Sequence, residues 1–355
     1  MYMTGITLGA FLAILGGAIN GSFALPMKLT RKWSWENNWF PYSILSLGLF
    51  PWLIAITTVP ALFRAFSQVS SGSLIIAVLW GVSVYTGSLL FGISLTYLGT
   101  ALAFALLVGT MCIVGVLLPI AIFNPETLEN AGGKWIVAGV LLMLVALVSS
   151  IRAGKLRSQT LGDQNVSGIG DKVKRSTLVG MLLAIIGGAL SGLLSLGMNM
   201  SWAKEISAAA VQVGGAAPHQ AVNAILALVL LGGAIPNIIY CIYLLSKNQT
   251  WKRYQVPKTG LYWLVLLLIG VMYSGSVALW GMSTAENMLG KLGPSIGWAL
   301  NIGMIVISSN GGGFATGEWK NSGAKAIRTM LIGLAIMMLA MAFIGYGNLI
   351  IASGN

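Results

Sequence analysis

Charge is what this chain lacks most. Only 8% of its 355 residues are Asp, Glu, Lys or Arg, and the acids number eight. It has one histidine, His219, and two cysteines, Cys112 and Cys241. Each shortage narrows the function. Both cysteines fall inside apolar runs, where no disulfide is expected. One histidine without a paired Cys/His spacing offers no metal site, and no cofactor is expected. An intramembrane serine protease needs a serine beside a general base. His219 stands at the mouth of an apolar run and no carboxylate lies in the middle of one, so an enzyme is not expected. No Lys or Arg precedes the first apolar run. The basic region of a secretory signal is therefore missing, and that run is expected to stay in the protein.

In place of charge the chain has long apolar runs, with 57% of residues hydrophobic. A bilayer core about 30 Å thick is crossed by roughly 20 apolar residues in a helix. Ten segments qualify, at about 5–27, 38–58, 73–95, 99–122, 134–151, 177–201, 219–245, 260–283, 293–314 and 327–350. All are expected to be helical, because lipid offers no partner to unpaired backbone groups. The expected fold is an all-α membrane protein of ten transmembrane helices without a soluble domain.

The net charge of +12 would suggest nucleic acid in a soluble protein. Its distribution points to the bilayer instead. With the loops assigned alternately to two sides, sixteen of twenty Lys and Arg share one side. They are Lys28, Arg31 and Lys32, six from Arg152 to Arg175, Lys247, Lys252, Arg253 and Lys258, and Lys320, Lys325 and Arg328. Arg64, Lys134, Lys204 and Lys291 fall on the other. The rich side is expected to be cytoplasmic. That places both termini outside a bacterial plasma membrane, and no nucleic-acid partner is expected.

The opening span recurs. Residues 9–21, GAFLAILGGAING, match residues 180–192, GMLLAIIGGALSG, at eight of thirteen positions without a gap. Small residues recur in any membrane helix because they let backbones approach, but Ala-Ile-x-Gly-Gly-Ala between two matched glycines points to duplication. Five spans separate the copies, and an odd number turns the second half upside down. Residues 98–109, LGTALAFALLVG, then lie over 292–303, LGPSIGWALNIG, as fourth span over ninth. The expected organisation is a first five-helix repeat at 1–152, a cytoplasmic linker at 153–175 and a second, inverted repeat at 176–355.

Polarity separates lining from scaffold. The fifth and tenth spans are apolar almost all round and are expected to face lipid or a second protomer, as in a homodimer. The first span puts Gly17, Asn20, Ala24 and Lys28 on one face, and the sixth answers with Gly188, Ser191, Ser195 and Asn199. The eighth offers Tyr273, Ser276 and Trp280, the ninth Trp298, Asn301 and Ser308, and the third Trp80, Ser83 and Gly87. Two pseudo-symmetric polar stripes suggest an aqueous cavity between the halves. The candidate substrate-binding residues are Asn20, Lys28, Trp80, Asn199, Tyr273, Trp280, Trp298 and Asn301. A buried amide is costly without a partner, and an indole face can stack on a sugar ring. Interhelical hydrogen bonding and core packing remain the competing accounts, and Lys28 can equally snorkel. Trp33, Trp35, Trp39, Trp135, Trp251 and Trp319 lie at span ends, as an interfacial belt.

Several landmarks resemble the L-rhamnose–proton symporter family of the drug/metabolite transporter superfamily. They are Ala24-Leu25-Pro26-Met27-Lys28 with Lys32-Trp33-Ser34-Trp35-Glu36, then Tyr97-Leu98-Gly99, Arg152-Ala153-Gly154 and Gly317-Glu318-Trp319. The resemblance implies ten helices in two inverted repeats, a central site for a monosaccharide and alternating access with a proton. It departs in the ninth span, where 294–301 reads PSIGWALN without the acidic and histidine residues expected there. All the acids lie at span ends or in loops. Glu205 and Glu286, on the outer side, are the candidates for proton coupling. An exporter of amino acids or other small metabolites is the alternative within transporters.

Overall fold

The computed structural model describes residues 2–98, 100–161, 177–257 and 259–353. Gly99, Lys258 and residues 162–175 of the expected linker lie outside them. The described chain is helical, with no strand. Helix α1 (Tyr2–Ser22) runs into a 3-10 turn at Leu25–Leu29, where Pro26 occupies the first turn. Next comes a rod of α2 (Trp35–Tyr42), a π-helical stretch at Ser43–Leu49 and α3 (Phe50–Thr58). The short α4 (Leu62–Phe66) leads to α5 (Ser71–Leu98). A second interrupted rod follows, α6 (Thr100–Cys112), a π-helical stretch at Ile113–Leu117 and α7 (Leu118–Phe123). Then come α8 (Ala131–Leu161), α9 (Thr177–Gly197), α10 (Ser201–Gln212) and α11 (Val222–Lys247). The chain closes with α12 (Gly260–Ser283), α13 (Gly293–Ala315) and α14 (Ala324–Ser353).

Both π stretches have one cause. Pro51 and Pro119 each stand at the second position of the helix that follows. A proline ring donates no N–H and clashes with the carbonyl one turn back, and a wider turn relieves both.

Nine described helices are long and apolar enough to cross a membrane. The ninth expected span, α13, is absent from that set although it has 23 residues. Its first half, Gly293–Gly303, is buried inside the protein. Polar residues such as Ser295 and Asn301 therefore meet protein rather than lipid, and the helix does not need a lipid-soluble composition. Two expected boundaries also move. Helix α8 continues to Leu161 through good helix formers, because Ala153 and Leu156 pack with Trp319 and Met330. The sixth span stops at Gly197, and the separate α10 buries Trp202, Ala203, Ile206 and Ala210 on one face.

The bundle forms around α1 and α9. Helix α1 packs on α12 and α13, α9 packs on α5 and α6, and α8 pairs with α14. The repeated Gly-Gly explains the first two contacts. A methyl on Gly16 would lie 2.8 Å from the Ser276 carbonyl of α12, and one on Gly17 would lie 2.5 Å from the Asn301 carbonyl of α13. In α9, a methyl on Gly187 would meet the Gly87 carbonyl of α5 at 2.8 Å, and one on Gly188 the Leu107 carbonyl of α6 at 2.3 Å. Each glycine pair thus admits one neighbour on each side, at distances no side chain allows.

Candidate functional site

The helices that α1 and α9 draw together leave a cavity of about 200 Å³ between them. Sites for drug-sized ligands run roughly 300–1,000 Å³, so this one suits a single small ring. Among the described residues, no Asp, Glu, Lys, Arg or His lines it. Its walls are mostly apolar, including Val84, Leu107, Leu194 and Ile302, and its polar groups are few.

Those groups are held in place by the helix contacts. The Tyr85 and Tyr273 hydroxyls lie 2.8 Å apart, across α5 and α12. Phe23 and Tyr42 pack against the Tyr273 ring, with centroids at 5.2 and 5.5 Å. Asn301 donates through Nδ2 to the Ala13 carbonyl at 3.2 Å, a contact that Gly16 and Gly17 make room for. Trp298 donates through Nε1 to the Met111 carbonyl at 3.3 Å, and its ring meets that of Trp280 edge-on, with centroids 5.0 Å apart. The Trp280 N–H is buried without a partner. Leaving such a donor unpaired costs roughly 1–3 kcal/mol. The Asn20 amide and the Ser191 hydroxyl also line the cavity, and neither bonds to a described residue.

Phe91 stands between the cavity and a larger vestibule of about 950 Å³, lining both, and the other walls of the vestibule carry Lys155, Arg157, Glu318 and Trp319 at the basic-rich end. The opposite end is sealed. There the fully buried Ser195 hydroxyl donates to the Gly115 and Pro294 carbonyls, at 2.7 and 3.0 Å, tying α9 to the neighbouring π stretch and to α13.

A family model described as the L-rhamnose-proton symport protein matches residues 2–350. The chain belongs to this symporter family. An L-rhamnose-proton symporter of Citrobacter koseri is 27% identical over 352 residues, spanning 96% of this chain and 98% of the relative. Those of Escherichia coli and Shigella boydii are 27% identical over 351 residues, with the same coverage. The relatives are named as symporters, so the family is one of transporters and not of enzymes, and this member is a multi-pass membrane protein.

Within this symporter-family chain, five of the eight expected substrate residues meet at the cavity, namely Asn20, Tyr273, Trp280, Trp298 and Asn301. The other three stand elsewhere. Lys28 forms an ion pair with Glu318 and donates to Thr316 Oγ1 at 2.9 Å, fastening the end of α1 to the turn after α13. Trp80 donates through Nε1 to the Leu193 carbonyl at 2.8 Å and packs on Trp202. Asn199 caps its own helix, donating to the Ser195 carbonyl at 3.3 Å.

The two expected coupling acids also lie away from the cavity. Glu205 accepts from the Ser70 N–H at 2.7 Å and from the Ser70 and Ser73 hydroxyls at the start of α5. These bonds, the Ser70 N–H first, hold its carboxyl below the usual range. Glu286 is exposed in the turn between α12 and α13. Glu36, expected in a loop, is buried at the head of α2 and accepts from Asn248 and Thr250, docking the Trp-Ser-Trp-Glu segment onto the turn after α11.

In the third span Tyr85, and not Trp80, lines the cavity. A third internal match marks it, since 85–88 reads Tyr-Thr-Gly-Ser and 273–276 reads Tyr-Ser-Gly-Ser. These segments lie in the third and eighth spans, which inversion would pair.

Proposed function

We propose that the protein imports L-rhamnose or a similar deoxy sugar together with a proton, by alternating access across a bacterial plasma membrane. Membership of the symporter family supports the reaction class. The observation that carries the substrate class is the cavity itself, small, free of charged lining among the described residues, walled by two tryptophans and lined by a tyrosine hydroxyl pair. A neutral polyol satisfies such groups, whereas an amino acid would bring two charges to a site that offers none.

Ten spans in two inverted repeats fit the pattern of contacts. Under inversion α1 exchanges with α9, α5 with α12 and α6 with α13. Gly16 on α12 then answers Gly187 on α5, and Gly17 on α13 answers Gly188 on α6. The Tyr85–Tyr273 pair falls on the axis between the halves. With the basic-rich side cytoplasmic and both termini outside, the exit past Phe91 faces inward, and the Ser195 tie closes the outer end. Rocking of the halves would open that tie and close the vestibule. Of the two coupling carboxylates we assign Glu286, because Glu205 is already engaged at α5.

The test is uptake of labelled L-rhamnose by a host without its own carrier, with sugars and amino acids as competitors. Competition by deoxy sugars, with alkalinisation of a weakly buffered suspension, supports the proposal. Competition by amino acids alone would replace it with the metabolite-exporter reading. Glu286→Gln should abolish the pH signal and leave substrate exchange intact; an unchanged signal would remove Glu286 from the coupling path.

A further inference from the structure

On the outer surface, away from the cavity, α8 and α14 frame a groove of about 680 Å³. Its deep part is apolar. Val145 and Val148 of α8 and Ile332 of α14 are 53%, 65% and 49% exposed, and Ile336 completes the wall. Its other end carries Arg152 of α8 and Lys325 and Arg328 of α14, all exposed. None of these cations has a carboxylate partner among the described residues, whose two ion pairs are Lys28–Glu318 and Lys291–Glu126. Lys325 and Arg328 also stand in the opening turns of α14, which has no acid in its first turn. Cations are disfavoured at that end of a helix, so the arrangement is short of an anion.

The groove floor is pinned. The Ser149 hydroxyl donates to the Thr329 carbonyl at 3.0 Å, and a methyl on Gly333 would lie 3.2 Å from the Ala146 carbonyl. From Lys325 to Ile336 is eleven residues, a helical rise of about 16 Å. A lipid phosphate at the cations would therefore leave room for an acyl chain to run along Val148, Ile332 and Ile336 toward mid-membrane.

The geometry points to a binding site for one anionic phospholipid, its phosphate between Arg152, Lys325 and Arg328 and one acyl chain in the groove. A second copy of the chain fits the charges less well. A two-fold dimer through this face would bring two sets of three cations together at the same depth, with no acid to offset them.

Native mass spectrometry of the purified full chain, titrated with phosphatidylglycerol or phosphatidylcholine, tests the site. The unaltered protein should retain one phosphatidylglycerol in preference to phosphatidylcholine. Neutralising each cation to Gln should weaken that preference about fivefold, and all three together about a hundredfold. Those changes also alter the charges that orient the protein, so Val148→Trp with Ile332→Trp fills the groove and keeps every charge. This variant should lose the retained lipid. Equal retention of the two lipids, or retention undiminished in the groove-filled variant, would overturn the site. So would a concentration-dependent dimer, free of lipid, that the groove-filling variant breaks.

Discussion

The Tyr85–Tyr273 hydroxyl pair offers the sharpest distinction between a binding site and a packing contact. Changing Tyr85→Phe removes the 2.8 Å bond and leaves the Tyr273 hydroxyl with Tyr42 as its remaining hydrogen-bond neighbour in a largely apolar setting. Net loss of such a bond costs about 1 kcal/mol. Tyr273→Phe should lower stability as well, because it removes the same bond. In Tyr85→Phe/Tyr273→Phe that one bond is lost only once, so thermal stability should fall by less than the sum of the single losses. Sugar binding should not recover. If each hydroxyl meets the sugar, the KM for L-rhamnose should rise about tenfold in each single variant, the equivalent of about 1.4 kcal/mol, and further in the double. Melting curves and initial-rate uptake on the same three variants separate the effects. A KM that returns to the unaltered value in the double variant, along with stability, would refute a role in binding.

The other predictions concern the frame and its gates. Gly17→Ala and Gly188→Ala each drive a methyl onto a carbonyl at 2.5 and 2.3 Å and should each lose roughly 1–3 kcal/mol; Gly275→Ala, with nothing within 4 Å, should melt like the unaltered protein. Phe91→Ala, opening the cavity to the vestibule, should speed thiol labelling of Ser191→Cys from the basic-rich side, and an unchanged rate would remove Phe91 from the exit. Glu205 has its carboxyl lowered by its bonds to Ser70 and Ser73, so its contribution is present at neutral pH and fades as pH falls through its folded value. Melting temperatures of the unaltered protein and Glu205→Gln should therefore differ at pH 7 and converge on acidification below about pH 4; a constant gap would mean the carboxylate's charge is not what fastens α5.

Much of the fold was legible because lipid leaves the backbone so few options. The helices fall where the apolar runs do, and the recurring Gly-Gly in residues 9–21 and 180–192 identified the two central helices before their neighbours were known. Legibility failed where tertiary contacts replace lipid. Helix α13, expected as a span at 293–314, falls short of a lipid-facing composition because its first half is buried in protein, and α8 outruns its apolar stretch because Ala153 and Leu156 find Trp319 and Met330. In the site, Asn20 and Asn301 stood out as amides at mid-span. Helical spacing alone could not tell which face of α5 turns inward: it pointed to Trp80, Ser83 and Gly87, while Tyr85 lines the cavity. Lys28 looked like part of the stripe because Asn20, Ala24 and Lys28 are in phase. The 3-10 turn at Leu25–Leu29 breaks that phase and sends the lysine to Glu318.

The central claim is that a sugar occupies the cavity bounded by Asn20, the tyrosine pair and the two tryptophans. The most direct measurement is the rate at which a small aqueous thiol reagent labels Asn20→Cys, in protein lacking Cys112 and Cys241, with and without saturating L-rhamnose. L-rhamnose should slow this labelling, and L-alanine should leave it unchanged. Labelling at the same rate with and without L-rhamnose, in a variant that still transports it, would contradict the claim.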